Sequence, residues 1–378
     1  MATQFLEPGG DATFDTNIWP AAQGSPAVAT DFVHGGHIKS MKYRAANQDY
    51  LIGSNFVTDA GGRISFWAYF NALPTGSTGV FFASEQTGDG AVVFGLGLST
   101  GGALQLLNSA LSQIGSNGAT LATGAWNRIS IAWTITSGSV NTLKIFVNGT
   151  ISITVTNATL ANITSADFII GNPGTNAGMD LRTSDHYVDN STALTDPGNI
   201  WVTAKRPFTN GTTIGFTTQV GSGGSGYGSG HTPQENERPE SATNGWSITS
   251  AGSAITEEYN IEGQSVGDIN IAGSTIVDYM GWVFTKALIA ETGKIIVNGV
   301  STNISITTSG KIFRQIAGSS TYPAGTGSDI GEITSTTVTT VSLYECGIIV
   351  AYIPGALTSS LLPQTINQPI IANDLQIV

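Results

Sequence analysis

The stretch GAWNRISIAWTITSGSVNTLKIFVNGTISITV, residues 124–155, decides the fold class. From Arg128 to Thr134, Ile129, Ile131 and Trp133 alternate with Ser130, Ala132 and Thr134. A period of two puts the large apolar side chains on one face of a β-strand. From Leu143 to Val147, Leu143, Ile145 and Val147 share a face, with Lys144 and Phe146 on the other. Asn148-Gly149 follows, and these two residues best tolerate the positive φ that a type I′ turn needs at both central positions. Ile151, Ile153 and Val155 then alternate with Ser152, Thr154 and Thr156 in a returning strand. Residues 143–156 are therefore a predicted β-hairpin.

Outward from this hairpin the same pattern repeats. The chain has 378 residues, 48 of them glycine, and only 11% are charged. No stretch carries the Ala, Leu, Glu and Lys content with a 3.6 period that a long helix needs. Short β-branched runs separated by Gly, Asn, Pro and Ser predict an all-β chain of sandwiches. An N-terminal arm covers 1–30 and a first sandwich 31–198. A connecting strand and Gly-rich loop cover 199–250, including GSGGSGYGSG at 221–230. A second, smaller β-sandwich is expected over 251–354, where IIVNGVSTNISI reuses the Asn-Gly turn, followed by an apolar tail at 355–378.

The net charge is −12, from 14 basic and 26 acidic residues. No basic patch is present, which argues against nucleic acid as a partner, and acidity disfavours anionic lipid. No apolar run is long enough for a membrane-spanning helix. The opening MATQFLEPGGDATFD has neither the basic region nor the apolar core of a secretory leader. Cys346 is the single cysteine, so no intrachain disulfide can form, and its apolar flanks read as a buried strand. Gly- and Thr-rich β structure without leader or disulfides fits a protein made in a host cytoplasm and displayed on a virion surface.

Three segments together carry a resemblance: ISFWAYFNALPTGSTGVFFAS (64–84), GAWNRISIAWT (124–134) and LKIFVNG (143–149). They resemble the laminin-G / concanavalin-A-like sandwich, with Phe66 and Trp67 as its core pair. MDLRTSDHYVDNS (179–191) resembles the Asp-rich last strand of such domains. The resemblance spans roughly residues 30–200 and implies a jelly-roll sandwich. Gly198, Ile200, Val202, Arg206 and Pro207 are similar to a strand that joins such a sandwich to a second β module in bacteriophage virion proteins. This implies a non-enzymatic structural protein: a head decoration, a fibre or a tail-associated component. Its expected partners are itself, as a homotrimer, and the major capsid or other virion proteins. The alternative is a host-attachment adhesin that binds surface glycan, and less favoured still is a polysaccharide-active enzyme.

Concanavalin-like glucanases need Glu-x-Asp-x-Glu or a close variant on one strand, and none occurs here. Glu257 and Glu258 point to opposite faces of a strand, and Glu235, Glu237 and Glu240 lie in a polar loop. No catalytic residue is expected. His34 and His37 flank Gly35-Gly36 and read as a surface loop, because two histidines alone are weak zinc evidence. His186 and His231 stand alone. Calcium is the one cofactor considered: Asp180, Asp185 and Asp189, with Asp196, offer the oxygen ligands that laminin-G-like domains sometimes use, without the spacing of a dedicated loop. Trp67, Trp126 and Trp133 sit in core-patterned runs. Trp19, Trp201, Tyr227 and Trp246 are the glycan-contact candidates. Leu361, Leu362, Ile366, Ile370 and Ile371 of the tail are the assembly candidates.

Overall fold

A computed structural model describes residues 3–7 and, apart from 221–244 and shorter gaps between strands, residues 21–355. All regular structure among these residues is strand. The first module contains β1 (Thr3–Glu7), β2 (Ala21–Gln23), β3 (Ala27–Ala29), β4 (Ser40–Arg44), β5 (Tyr50–Val57), β6 (Gly61–Ala72), β7 (Gly79–Gln86) and β8 (Val92–Leu98). It continues with β9 (Leu104–Leu107), β10 (Gln113–Ile114), β11 (Trp126–Thr136), β12 (Ser139–Val147), β13 (Thr150–Val155), β14 (Ser165–Gly171) and β15 (Asp180–Asp189). One sheet runs β13-β12-β11-β6-β15-β4-β3, with β1 also on β15. The other runs β10-β9-β8-β7-β14-β5-β2.

The alternation read from the sequence sets the core. Ile64, Phe66, Ala68 and Phe70 of β6, Ile129, Ile131 and Trp133 of β11, and Leu143 and Ile145 of β12 face inward. They meet Phe82, Phe94, Leu96, Phe168 and Ile170 of the opposing sheet. The predicted hairpin is present: Val147 pairs with Thr150, and Asn148 and Gly149 have φ of 50° and 87°. Asn148 also ties the turn to the next strand. Its Oδ1 accepts the Arg128 N–H at 2.8 Å, and its N–H donates to the Arg128 carbonyl at 2.9 Å.

The second module contains β16 (Trp201–Lys205), β17 (Pro207–Ile214), β18 (Thr218–Val220), β19 (Gly245–Thr249), β20 (Ile255–Ile261) and β21 (Thr275–Ala287). Then come β22 (Glu291–Val297), β23 (Val300–Ile306), β24 (Lys311–Ile316), β25 (Ser328–Ile333) and β26 (Thr340–Ile353). Its sheets run β18-β19-β26-β21-β24, with β16 on β26, and β17-β20-β25-β22-β23. The segment 201–249 thus supplies four strands to the second module, and β1, β2 and β3 pair into the first. Cys346 is buried in β26, as its flanks implied.

Two tryptophans depart from expectation. Trp67 lies out of phase with Phe66 and Ala68, and Trp126 pairs with Tyr69, so both stand on the outer face of the β6–β15 sheet. Only Trp133 of the three joins the core. That outer face is covered where Tyr187 of β15 packs with Ile200, Val202, Met280, Trp282, Ile349 and Ala351. The two modules therefore share an apolar junction.

Candidate functional site

The outer face becomes a site because β15 changes partners halfway along. Asp180 to Thr183 pair with β4, whereas His186 to Asp189 pair with β1. Against β6 the register shifts between Ser184 and Tyr187. Asp185 sits at this break with φ of 55°, a left-handed conformation that Asp adopts more readily than most residues. The bulge aims its carboxylate out of the ladder.

The turn His34–His37 reaches into the break. The His37 N–H donates to the His34 carbonyl at 3.0 Å, which brings the two imidazoles together. Gly35 has φ of 59°, and a Cβ there would fall 2.3 Å from Trp201 Cζ3, so glycine is required. The turn is anchored upstream by Asp31, which accepts from Arg182 Nε at 3.1 Å and from its Nη2 at 2.5 Å. The Arg182 hydrogen bonds hold the Asp31 carboxyl down at about 2. Phe32 stacks on Tyr69 at 4.4 Å between centroids.

Asp185 is the hub. His34 Nδ1 lies 2.6 Å from Oδ2, and His37 Nε2 lies 2.9 Å from Oδ1. The Val202 N–H donates to Oδ1 at 2.6 Å. His34 and His37 are 5% and 8% exposed, and the Asp185 side chain is fully buried. Three indoles surround His34: Trp67 stacked at 4.0 Å, Trp201 at 4.6 Å and Trp126 edge-on at 5.3 Å. Burial pushes the His34 pKa down, against the raising effect of Asp185, so this imidazole is neutral at pH 7. Burial alone would raise the Asp185 pKa, but the His37 and His34 rings outweigh it and hold the carboxyl ionised. Tyr352 of β26 closes the cluster from the second module. Burial, with the Asp185 charge adding to it, raises its phenol pKa.

These positions correct several expectations. The His34–His37 segment is a buried turn rather than a surface loop. Of the calcium candidates, Asp180 is bound by Arg182, Asp189 by Arg63 Nη2 at 2.6 Å and Asp196 by Arg128 at 2.7 Å, while Asp185 is met by two imidazoles and a backbone amide. Among the described residues, no group of three His, Cys, Asp or Glu is placed to hold a metal. His186 turns toward the core, where Phe66 stacks on it and Thr183 Oγ1 lies 2.9 Å from Nε2. Of the glycan candidates, Trp201 stands in the cluster. Trp246 lies on β19, but its side chain is outside the described residues, as are Trp19, Tyr227 and the tail positions Leu361, Leu362, Ile366, Ile370 and Ile371. Sequence reasoning considered His34, His37 and Asp185 separately. The signal that joins them is a polar run, Ser184-Asp185-His186, which interrupts the alternation of β15.

No protein-family model and no curated protein matches the chain. Solved structures do. The endo-β-1,4-glucuronan lyase of the fungus Trichoderma reesei is 14% identical, with a TM-score of 0.37, over 52% of this chain and 98% of that one. The alginate lyase of a Corynebacterium species is 14% identical, with a TM-score of 0.30, over 40% and 76%. Trypanosoma rangeli sialidase is 15% identical, with a TM-score of 0.33, over 49% of this chain and 30% of its own. The β-sandwich expected from the sequence stands, while the laminin-G and phage parts of the resemblance gain no support here. These neighbours are two polysaccharide lyases and a sialidase, not virion components, so the expectation of a non-enzymatic virion protein is corrected to a β-sandwich with no role assigned by likeness. The fold brings together His34, His37 and Asp185, which the sequence reading left apart, from positions about 150 residues distant.

Proposed function

We propose that the protein acts on a polysaccharide, with the Asp185-held imidazoles as its acid–base groups and the indoles around them as sugar-stacking surfaces. The observation that carries this reading is the His34–Asp185–His37 cluster. An ionised carboxylate only accepts, so each ring presents an N–H to it. His34, neutral at pH 7, then carries its proton on Nδ1 and keeps a lone pair on Nε2, while His37 presents its Nε2–H to the carboxylate. A neutral imidazole oriented by a buried carboxylate is an effective general base near pH 7. Flat indole faces match the apolar faces of pyranose rings.

The chemistry favoured is proton abstraction rather than two-carboxylate hydrolysis. Hydrolysis needs an acid and a base or nucleophile in a facing pair of carboxyls. The carboxylates of this face, Asp31, Asp180, Asp189 and Asp196, are each bound by an arginine. An imidazole base suits a substrate with an acidic C–H beside a carboxyl group, as in a polyuronate, cleaved by elimination. The reading rests on this constellation, because likeness at these scores locates no site.

The test is incubation of the full chain with polyuronates and neutral polysaccharides, following the ultraviolet absorbance of unsaturated ends. The expected result is release from a polyuronate, lost in His34→Ala and His37→Ala. Absence of both unsaturated and reducing ends across the panel at every pH from 5 to 8 would overturn the proposal.

A further inference from the structure

The cluster is nearly closed in the structure, and the closure comes from the second module. Trp201 opens β16, which is hydrogen-bonded to β26. Its ring lies on His34 and near Tyr352, 6.3 Å between centroids. Val202, the next residue, gives its N–H to Asp185. The linker before it is held as well: Arg128 binds Asp196 and the Gly198 carbonyl. Trp201 thereby covers His34 and meets Trp67 edge-on at 6.4 Å between centroids, on the outside of the sheet.

We propose that the second module is a cover over this face, latched by Asp185 bridging His34, His37 and Val202, and released by acid. This rests on the polysaccharide reading for what the opened face binds, though not for the latch itself. The latch follows from geometry. Two imidazoles lie buried between modules, around one carboxylate that also holds a backbone amide of the moving part. Lifting Trp201 gives His34 back to water, where an imidazole accepts a proton readily. Asp185 from β15 faces both rings, and Tyr352 from β26 lies beside Asp185 and Trp201. β6, β11 and β16 present Trp67, Trp126 and Trp201.

The sign can be worked through. Burial lowers the His34 pKa below 6.5 in the docked state. Below pH 6.5 the undocked state therefore binds more protons, and docking weakens as pH falls. One proton taken up per opening gives up to about tenfold in the docking equilibrium per pH unit, until the docked state itself titrates. Two buried polar atoms point the same way. Trp67 Nε1 and Tyr352 Oη have no hydrogen-bond partner among the described residues. Closure leaves both unsatisfied, and opening lets water or a sugar hydroxyl reach them.

The experiment uses the full chain with spin labels on two exposed positions, Ala110→Cys in the first module and Ser301→Cys in the second. Distances between the labels are recorded from pH 8 to pH 5, and exchange of the Val202 amide is followed alongside. A single short distance at pH 7.5 is expected, with a longer population that grows up to tenfold per pH unit below 6.5. His34→Gln and His37→Gln keep a hydrogen-bond donor that does not titrate, and should flatten that growth while both sandwiches remain folded. A distance distribution and Val202 exchange that do not change with pH, in a folded chain, would overturn the cover. Polyuronate binding measured on the same samples separates the two ideas. Binding that rises with the open population supports both. Opening without binding supports the cover and removes the polysaccharide reading, whereas binding with no opening overturns the cover alone.

Discussion

Strand β15 holds two fully buried carboxylates four residues apart, and they are used in opposite ways. Asp189 is gripped by Arg63 through Nε at 3.1 Å and Nη2 at 2.6 Å, with the Ser191 N–H at 2.8 Å. Asp185 is met by two imidazoles and an amide from the next module. A guanidinium stays charged at any pH a protein meets, whereas an imidazole does not. The first carboxylate is thus neutralised permanently and fastens one module to itself. The second is held by hydrogen-bond donors, two of them imidazoles whose charge depends on pH, and fastens one module to the other. Burial of charge is the same in both, and the partner decides whether the result is scaffold or switch.

The largest expected effect tests the permanent pair. Arg63→Ala leaves Asp189 buried without its cation, and breaking a buried pair costs about 3–5 kcal/mol. Urea unfolding of the variant should show this loss with the same size at pH 7.5 and pH 5.5. A loss that shrinks markedly at the lower pH would erase the distinction between the two carboxylates. Asp185→Asn should cost less, about 1.5–3 kcal/mol, because it weakens hydrogen bonds to a charged group without stranding a cation. Its sharper signature is elsewhere: the proposed polyuronate cleavage should fall while the sandwich cores remain folded, as judged by near-ultraviolet circular dichroism.

The pH dependence of stability comes next in size. His34 is held below its ordinary value, so its contribution is fully present above pH 6.5 and is lost as pH falls below that. Asp185 adds to the same trend lower down, since the stability from its depressed pKa is full above the ordinary carboxylate value of 3.8 and is lost progressively as pH falls below it. Between pH 6.5 and 5.5 the wild type should therefore lose about 1 kcal/mol, the linkage slope being roughly 1.4 kcal/mol per pH unit per proton. His34→Gln should lose much less over the same range. A parallel loss in both proteins would place the titration at another group.

The inner and outer faces of the first sandwich differ in how well the sequence announces them. The inner face follows period two, so Ile64, Phe66, Ile129, Ile131 and Trp133 were legible as core, and Asn148-Gly149 as a turn. The outer face carries no such rule. Trp67 reads like a core residue because its neighbours do, yet one step of register puts it outside. The site itself needs a bulge at Asp185, a partner exchange along β15 and a turn held by Gly35 against Trp201. Each is a tertiary event, and the residues it joins are separated by about 150 positions. Histidines and aspartates were visible one by one, but their meeting depends on which strand β15 pairs with at its midpoint.

The smallest expected effect compares Asp185 with Asn148, the other residue whose left-handed backbone matters here, at φ of 50° against 55°. At Asn148 the conformation belongs to a two-residue hairpin turn and the side chain only ties the Arg128 N–H. Glycine meets the backbone demand without strain, so relief of strain should partly offset that hydrogen bond. Asn148→Gly is expected to stay within about 0.5 kcal/mol of wild type. Asn148→Val keeps a Cβ and adds a branch, and should cost roughly 1–2 kcal/mol, since the left-handed region is strained for such side chains. At Asp185 the same glycine test should come out differently: the backbone is again satisfied, but the carboxylate that holds His34, His37 and Val202 is gone. Thermal unfolding of the three variants, followed together with the exchange of the Val202 amide, reads both parts. Asn148→Gly should leave Val202 protected, and Asp185→Gly should expose it. If Asp185→Gly leaves Val202 protected too, the bulge is only a feature of strand geometry and the junction is held by its apolar contacts alone.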